Sequence, residues 1–262
     1  MIEPHYFGPI ERPLLGIYHP PTGRARPHGV VICAPAPQEY MRTHMALRKL
    51  AVLLASAGFH VLRFDYYGTG DSAGGSGDGS LTEWCRNVDS AVVDLKECSG
   101  ATKISLVGLR LGATLAALST ARVAKLVLWE PVVTGRDYLH ELQNVHRQKF
   151  SNLLYPPPAP TAGGSRDLLG VSLPLVVERE IAAIDLPNSI RCRADEIALL
   201  TSRRQPDLQK LQTSLENAAA AGGPGVACHE VPVETRPDHD SAMILPAQVL
   251  QLVTDVLSGR AG

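Results

Sequence analysis

Runs of strand-forming apolar residues alternate with amphipathic, helix-forming stretches along most of this chain, and that rhythm limits the folds open to it. Gly29-Val30-Val31-Ile32-Cys33-Ala34 is apolar almost without a break, as expected of a strand buried on both faces of a parallel sheet. Thr43 to about Ala57 carries Met45, Leu47, Leu50, Leu53 and Leu54 and stops at Gly58, so a helix capped by Thr43 is expected. Further strands are predicted at His60 to Asp65, Lys103 to Val107, Ala124 to Trp129, Glu196 to Thr201 and Val226 to Val233. Helices are predicted between them at Glu83 to Cys98, Ala113 to Ala121 and Asp207 to Ala221, with a closing helix at Pro246 to Leu257. His5-Tyr6-Phe7 and Leu14 to Tyr18 add two short strands at the start. Alternation of this kind implies an α/β protein with a mostly parallel central sheet and helices on both faces.

The rhythm breaks once. Residues 132–194 hold a helical stretch from Asp137 to Phe150, a Pro/Ala/Gly-rich break from Pro156 to Gly164 and a second helical stretch at Leu175 to Ala183. They are expected to form a cap or lid insertion over the sheet's C-terminal edge, with 1–131 and 195–262 forming the core.

Between the strand at Lys103 and the small-residue helix after it stands Gly108-Leu109-Arg110-Leu111-Gly112. A strand, then Gly-x-nucleophile-x-Gly, then a helix is a nucleophile elbow: the central residue sits in a strained bend, and bulk on either side would strike the sheet or helix. Here the central residue is Arg110. A guanidinium stays protonated in proteins and has no lone pair for attack. No acyl-enzyme can form there. Arg110 either points into the pocket, as elbow residues do, or out to solvent.

Three motifs carry a resemblance to a known family. They are Ala34-Pro35-Ala36-Pro37-Gln38-Glu39-Tyr40-Met41-Arg42, Arg63-Phe64-Asp65-Tyr66-Tyr67-Gly68-Thr69-Gly70-Asp71-Ser72 and Val107-Gly108-Leu109-Arg110-Leu111-Gly112-Ala113. The stretch from about residue 29 to 140 resembles the serine aminopeptidase-like hydrolases of the α/β-hydrolase superfamily. Within them it is most similar to the branch of exosortase A system-associated hydrolases, which tolerates arginine where most relatives carry serine. The resemblance implies the α/β-hydrolase fold and hydrolysis of an ester, thioester or amide of a small molecule.

It also implies places for the rest of a site. The base histidine of this fold lies between the last strand and last helix, where His239 stands; the other reading is a solvated loop histidine between Asp238 and Asp240. Gln205 falls nearest the acid's usual place, and Asp207 follows as an acid or as a helix N-cap. Some relatives place the acid one strand earlier, where Glu130 stands beside Arg110. Glu130 or Glu39 is the expected partner of a buried Arg110, with Asp207 next. The oxyanion hole would use the N–H of Leu111 and one from the loop holding Ala36, Gln38 and Glu39. With Arg110 and a helix N-terminus, the pocket floor is expected to attract an anionic or acyl substrate. Glu39, Arg42 and His44 either rim that pocket or lie on the surface.

Charge and composition exclude several other classes. At a formal net charge of −1, no overall field draws the protein to nucleic acid or an anionic membrane. The longest apolar runs are strand-length, so no membrane span is expected, and no signal peptide is legible at Met1 to His5. The nine histidines and five cysteines form no metal-binding spacing, so neither metal nor cofactor is expected. An odd cysteine count fits a reducing cytoplasm. Three functions remain open: a hydrolase using water activated by His239, a non-hydrolytic enzyme in the same pocket, and an inactive binding protein.

Overall fold

The computed structural model describes residues 2–150, 165–202, 205–231 and 247–260. Two antiparallel strands, β1 (Glu3–Phe7) and β2 (Leu14–His19), lead into β3 (His28–Cys33), α1 (Pro37–Ser56), β4 (His60–Phe64), α2 (Leu81–Ser99) and β5 (Lys103–Leu109). The chain continues through α3 (Leu111–Leu118), β6 (Arg122–Trp129), α4 (Gly135–Phe150), a hairpin of β7 (Ser165–Leu168) and β8 (Val171–Pro174), and α5 (Leu175–Ala182). It ends with β9 (Arg193–Thr201), α6 (Pro206–Ala220), β10 (Gly225–Glu230) and α7 (Ala247–Ser258).

Eight strands form one sheet in the order β1-β2-β4-β3-β5-β6-β9-β10. All neighbours from β4 to β10 run parallel. The helices pair in two layers, α1 with α7 and α2 with α3. Val30, Val31, Leu106, Val107, Leu126 and Val127 are buried, as their continuous apolar runs require. β5 lies between β3 and β6 in the middle of the sheet, so the turn leaving it opens at the centre of the C-terminal edge.

Three local expectations are corrected. Thr43 does not cap α1; the helix starts at Pro37, whose fixed φ suits a first helical turn. Thr43 is buried inside it and donates its hydroxyl back to the Glu39 carbonyl at 3.0 Å. Gln38 and Glu39 therefore belong to a helix and not to a loop. α2 begins at Leu81, because Ser80 accepts a hydrogen bond from the Glu83 N–H. The β7–β8 hairpin was not expected at all; it turns on Leu169 and Gly170, both at positive φ.

Two histidines tie stability to pH. Arg63 Nε donates to His19 Nε2 at 3.2 Å, which requires that nitrogen to be unprotonated. Burial, then the charges of Arg63 and Arg48, push His19 down to about 4. Burial, then Lys103, Arg26 and Lys125, push His28 down to about 4 as well. Unfolded histidine titrates near about 6.5, so below that value the unfolded chain binds protons that the folded protein refuses. The stability gained from keeping both rings neutral is complete above about 6.5 and is lost as pH falls towards about 4. Urea midpoints should fall between about pH 7 and about pH 4.5, and less steeply in a His19→Gln/His28→Gln variant. An unchanged slope in that variant would remove these rings as the cause.

Candidate functional site

The turn between β5 and α3 is dictated by its glycines. A Cβ on Gly108 would lie 2.3 Å from the Ala113 Cα, and one on Gly112 would lie 2.2 Å from the Ala34 carbonyl oxygen. Neither backbone neighbour can retreat, so both positions need glycine. Arg110 between them takes φ 54° and ψ −124°, a strained conformation for a side chain-bearing residue. It is held there by its own N–H, which donates to the Trp129 carbonyl at 2.9 Å, and by its carbonyl, which accepts from the Ala113 N–H at 3.0 Å.

The Arg110 side chain does not reach solvent; the residue is 2% exposed. Its Nε donates to Glu39 Oε1 at 2.9 Å and its Nη2 donates to Glu141 Oε2 at 2.9 Å. Tyr138 completes the arrangement: its hydroxyl donates to Glu39 Oε2 at 3.0 Å, and the guanidinium carbon lies 5.3 Å from its ring centroid. Burial alone would lower the guanidinium pKa, but the charges of Glu39 and Glu141 outweigh it and raise the pKa above its ordinary value. Arg110 is a permanent cation.

Glu39, one of the two partners expected first, is thus the buried counter-charge. The other, Glu130, is not. It is buried at the end of β6 with φ 46°, and its carboxylate accepts the N–H of Ser202, the first residue after β9. The sheet register sets this outcome: Leu109, Trp129 and Leu200 stand side by side, so the residue after Trp129 falls next to the end of β9 as well as the end of β5. A backbone donor captured the carboxylate. Glu141 was missed from the sequence. It lies on α4 three residues from Tyr138, hence on the same helix face, and Tyr138, Leu139 and Leu142 are buried there. An acid beside a buried aromatic on an otherwise polar helix was the signal that could have found it.

Arg110, Glu141, Asp137 and Asp207 line a cavity of about 410 Å³ together with Thr134, His140, Asn144, Gln148 and Gln205. Asp207 does not approach Arg110. It is the second residue of α6, after Pro206; its Oδ2 accepts from Thr134 Oγ1 at 3.1 Å and its Oδ1 from Lys210 Nζ at 3.4 Å. Asp137 is raised above the ordinary carboxylate value, chiefly by its hydrogen bond with Asp207. At Asp207 burial pushes upward, but hydrogen bonds from Asp137, Thr134 and Lys210 outweigh it and leave the group lowered.

Ala36 is the buried residue flanking α1, its carbonyl accepting from the N–H groups of Glu39 and Tyr40. Gln38 is buried in the first turn of α1, and Leu111 is the buried first residue of α3. None of these three lines the cavity that holds Arg110. Arg42 and His44 do not line it either, and His44 is exposed. His239 lies outside the described residues. Among the described residues, the Arg110 guanidinium faces two carboxylates, Glu39 and Glu141. Among the described residues no group of acids, histidines and cysteines could hold a metal ion. No helix among them is long and apolar enough to cross a membrane.

A mostly parallel eight-stranded sheet flanked by helices, with β2 antiparallel to both β1 and β4 at one edge, defines an α/β-hydrolase fold. Residues 25–167, more than half of the chain, match the family model of serine aminopeptidase, S33, and the chain belongs to that family. Among solved structures it is similar to an esterase of Pyrococcus furiosus, at 17% identity and a TM-score of 0.62 over 100% of this chain and 92% of that one. It is also similar to Est1E of Butyrivibrio proteoclasticus with ferulic acid bound, at 16% identity and a TM-score of 0.60 over 97% and 96% of the two chains. A thioesterase domain from the curacin biosynthetic pathway aligns at 14% identity and a TM-score of 0.55 over 99% of each chain. No curated protein matches the chain in sequence.

Proposed function

We propose that this protein is a family member from which acyl-enzyme chemistry has been removed, and that its cavity binds a small molecule without transferring an acyl group. One observation carries the reading: Arg110 stands in the strained turn between β5 and α3, where the family would carry its nucleophile on this reading, and is held there by two carboxylates. The φ and ψ of Arg110 are those of a nucleophile-elbow residue, so the substitution replaces the reacting atom and keeps the scaffold. Residues 132–194 act as a cap in this reading, with α4 closing over Arg110 through Glu141. The closer resemblance to exosortase A system-associated hydrolases belongs to the same proposal. So does a cytoplasmic setting, on the ground that all five cysteines are free thiols.

The ligand should be neutral or cationic. Among the described residues Arg110 faces two carboxylates, and Asp137 and Asp207 line the same cavity. A carboxylate would have to displace Glu141 or sit beside it. The test is a thermal-shift and calorimetric comparison of matched amines, amides and carboxylates. Amines or amides should raise the melting temperature, and Glu141→Gln or Asp137→Asn should weaken the amines at least threefold. Carboxylate binding that disappears in Arg110→Met would overturn this assignment in favour of an anion site. Amine binding untouched by both acid variants would do the same.

A further inference from the structure

A second cavity, of about 480 Å³, lies away from Arg110. Its walls come from the start of α2, the end of α3 and the stretch from the end of α5 to Arg191, so it opens where the 132–194 segment meets the sheet layer. Its volume is in the range that holds drug-sized ligands, roughly 300–1,000 Å³. The apolar part is Leu81, Leu118, Ala183 and Ile184, with the half-buried Cys85 beside them.

The charged groups around this apolar floor differ in what they already do. Asp89 is engaged twice by Thr120, whose N–H donates to it at 3.0 Å and whose hydroxyl donates at 2.8 Å. Glu180 accepts the N–H of Leu81 at 2.6 Å and so caps the positive end of α2, where a carboxylate is stabilised by the exposed N–H groups. Both acids are therefore spent on the fold. The two cations of the wall are not held in this way. Arg86 is 71% exposed at its side chain and, among the described residues, has a single salt-bridge partner, Glu83 at 3.7 Å. Arg191 is exposed, its N–H donates to the Ala117 carbonyl, and its charge acts on Cys85. We infer that this cleft is a second ligand site, taking a small amphiphilic organic anion whose carboxylate meets Arg86 and Arg191 and whose hydrocarbon part lies on Leu81, Leu118 and Ile184.

Cys85 offers a local reporter. Burial first, then the Asp89 charge, push its thiol up to about 12, so its alkylation is slow but can be followed by mass spectrometry. Octanoate is the probe, with octanamide as its uncharged match, on the full-length protein. Calorimetry should show octanoate binding at least tenfold more tightly than octanamide. Arg191→Gln and Arg86→Gln, both on the surface, should each weaken octanoate several-fold, and Arg110→Met should not. Octanoate should protect Cys85 from N-ethylmaleimide while the exposed Cys98 and Cys228 react as before. No octanoate binding, equal binding of octanamide, unprotected Cys85, or indifference to both arginine variants would each overturn the inference. Loss of binding in Arg110→Met would assign the anion to the first cavity and would count against both proposals.

Discussion

Glu39→Ala should destabilise this protein by about 3–5 kcal/mol, the usual cost of removing one partner from a buried ion pair. The variant leaves the Arg110 guanidinium buried beside Glu141 alone and strips the Tyr138 hydroxyl of its acceptor. Arg110→Met should cost clearly less. Glu39, once unpaired, can take up a proton and become neutral, whereas a guanidinium cannot shed one. Glu141→Ala should be milder than either, of the order of 1 kcal/mol or below, because its side chain is 28% exposed and water screens the pair. Urea denaturation of the three variants gives the order directly. For a chain of this size the Glu39 change corresponds to a fall of about 10 °C in melting temperature. If Arg110→Met were as damaging as Glu39→Ala, the asymmetry between an acid and a guanidinium would not be what governs the site.

The second large effect is on chemistry. The wild type should take up no fluorophosphonate label and give no burst with p-nitrophenyl acetate, because Arg110 has no electron pair to offer. Removing the serine from a working hydrolase lowers kcat by about 10⁶, and the site around Arg110 should sit at that level or below. Turnover of about 10³–10⁴ over water is what binding and an oxyanion hole alone can retain. Any such turnover that depends on water activation by His239 should vanish in His239→Ala. Arg110→Ser should label slowly at best, since on the proposed reading Gln205, which lines the cavity, takes the acid's place and cannot accept a proton as a carboxylate does. Stoichiometric labelling of a wild-type serine would reveal a nucleophile elsewhere and end the proposal.

The sequence alone determined the layout of the sheet and the position of the strained turn. Continuous apolar runs such as Val30 to Cys33 and Leu126 to Trp129 admit few environments besides the inside of a parallel sheet. Gly108 and Gly112 are needed by local sterics that any strand–helix turn of this kind imposes. The chemistry excluded at Arg110 was equally legible, since a guanidinium is not a nucleophile in any fold. Glu39 was readable as a partner because it belongs to the segment that follows the neighbouring strand, β3.

What only the tertiary structure decided was which carboxylate reaches which donor. Glu130 is next to Arg110 at the sheet edge, yet the backbone N–H of Ser202, just after β9, takes it, and that competitor is 72 residues away in sequence. Glu141 arrives from α4, whose approach depends on how that helix packs over the sheet edge, and with it the charge balance of the described side chains around Arg110 goes from neutral to negative. Residue types and local spacing fix backbone geometry and reactivity; the sign of a pocket depends on pairings between distant elements, and only the packed structure sets those distances.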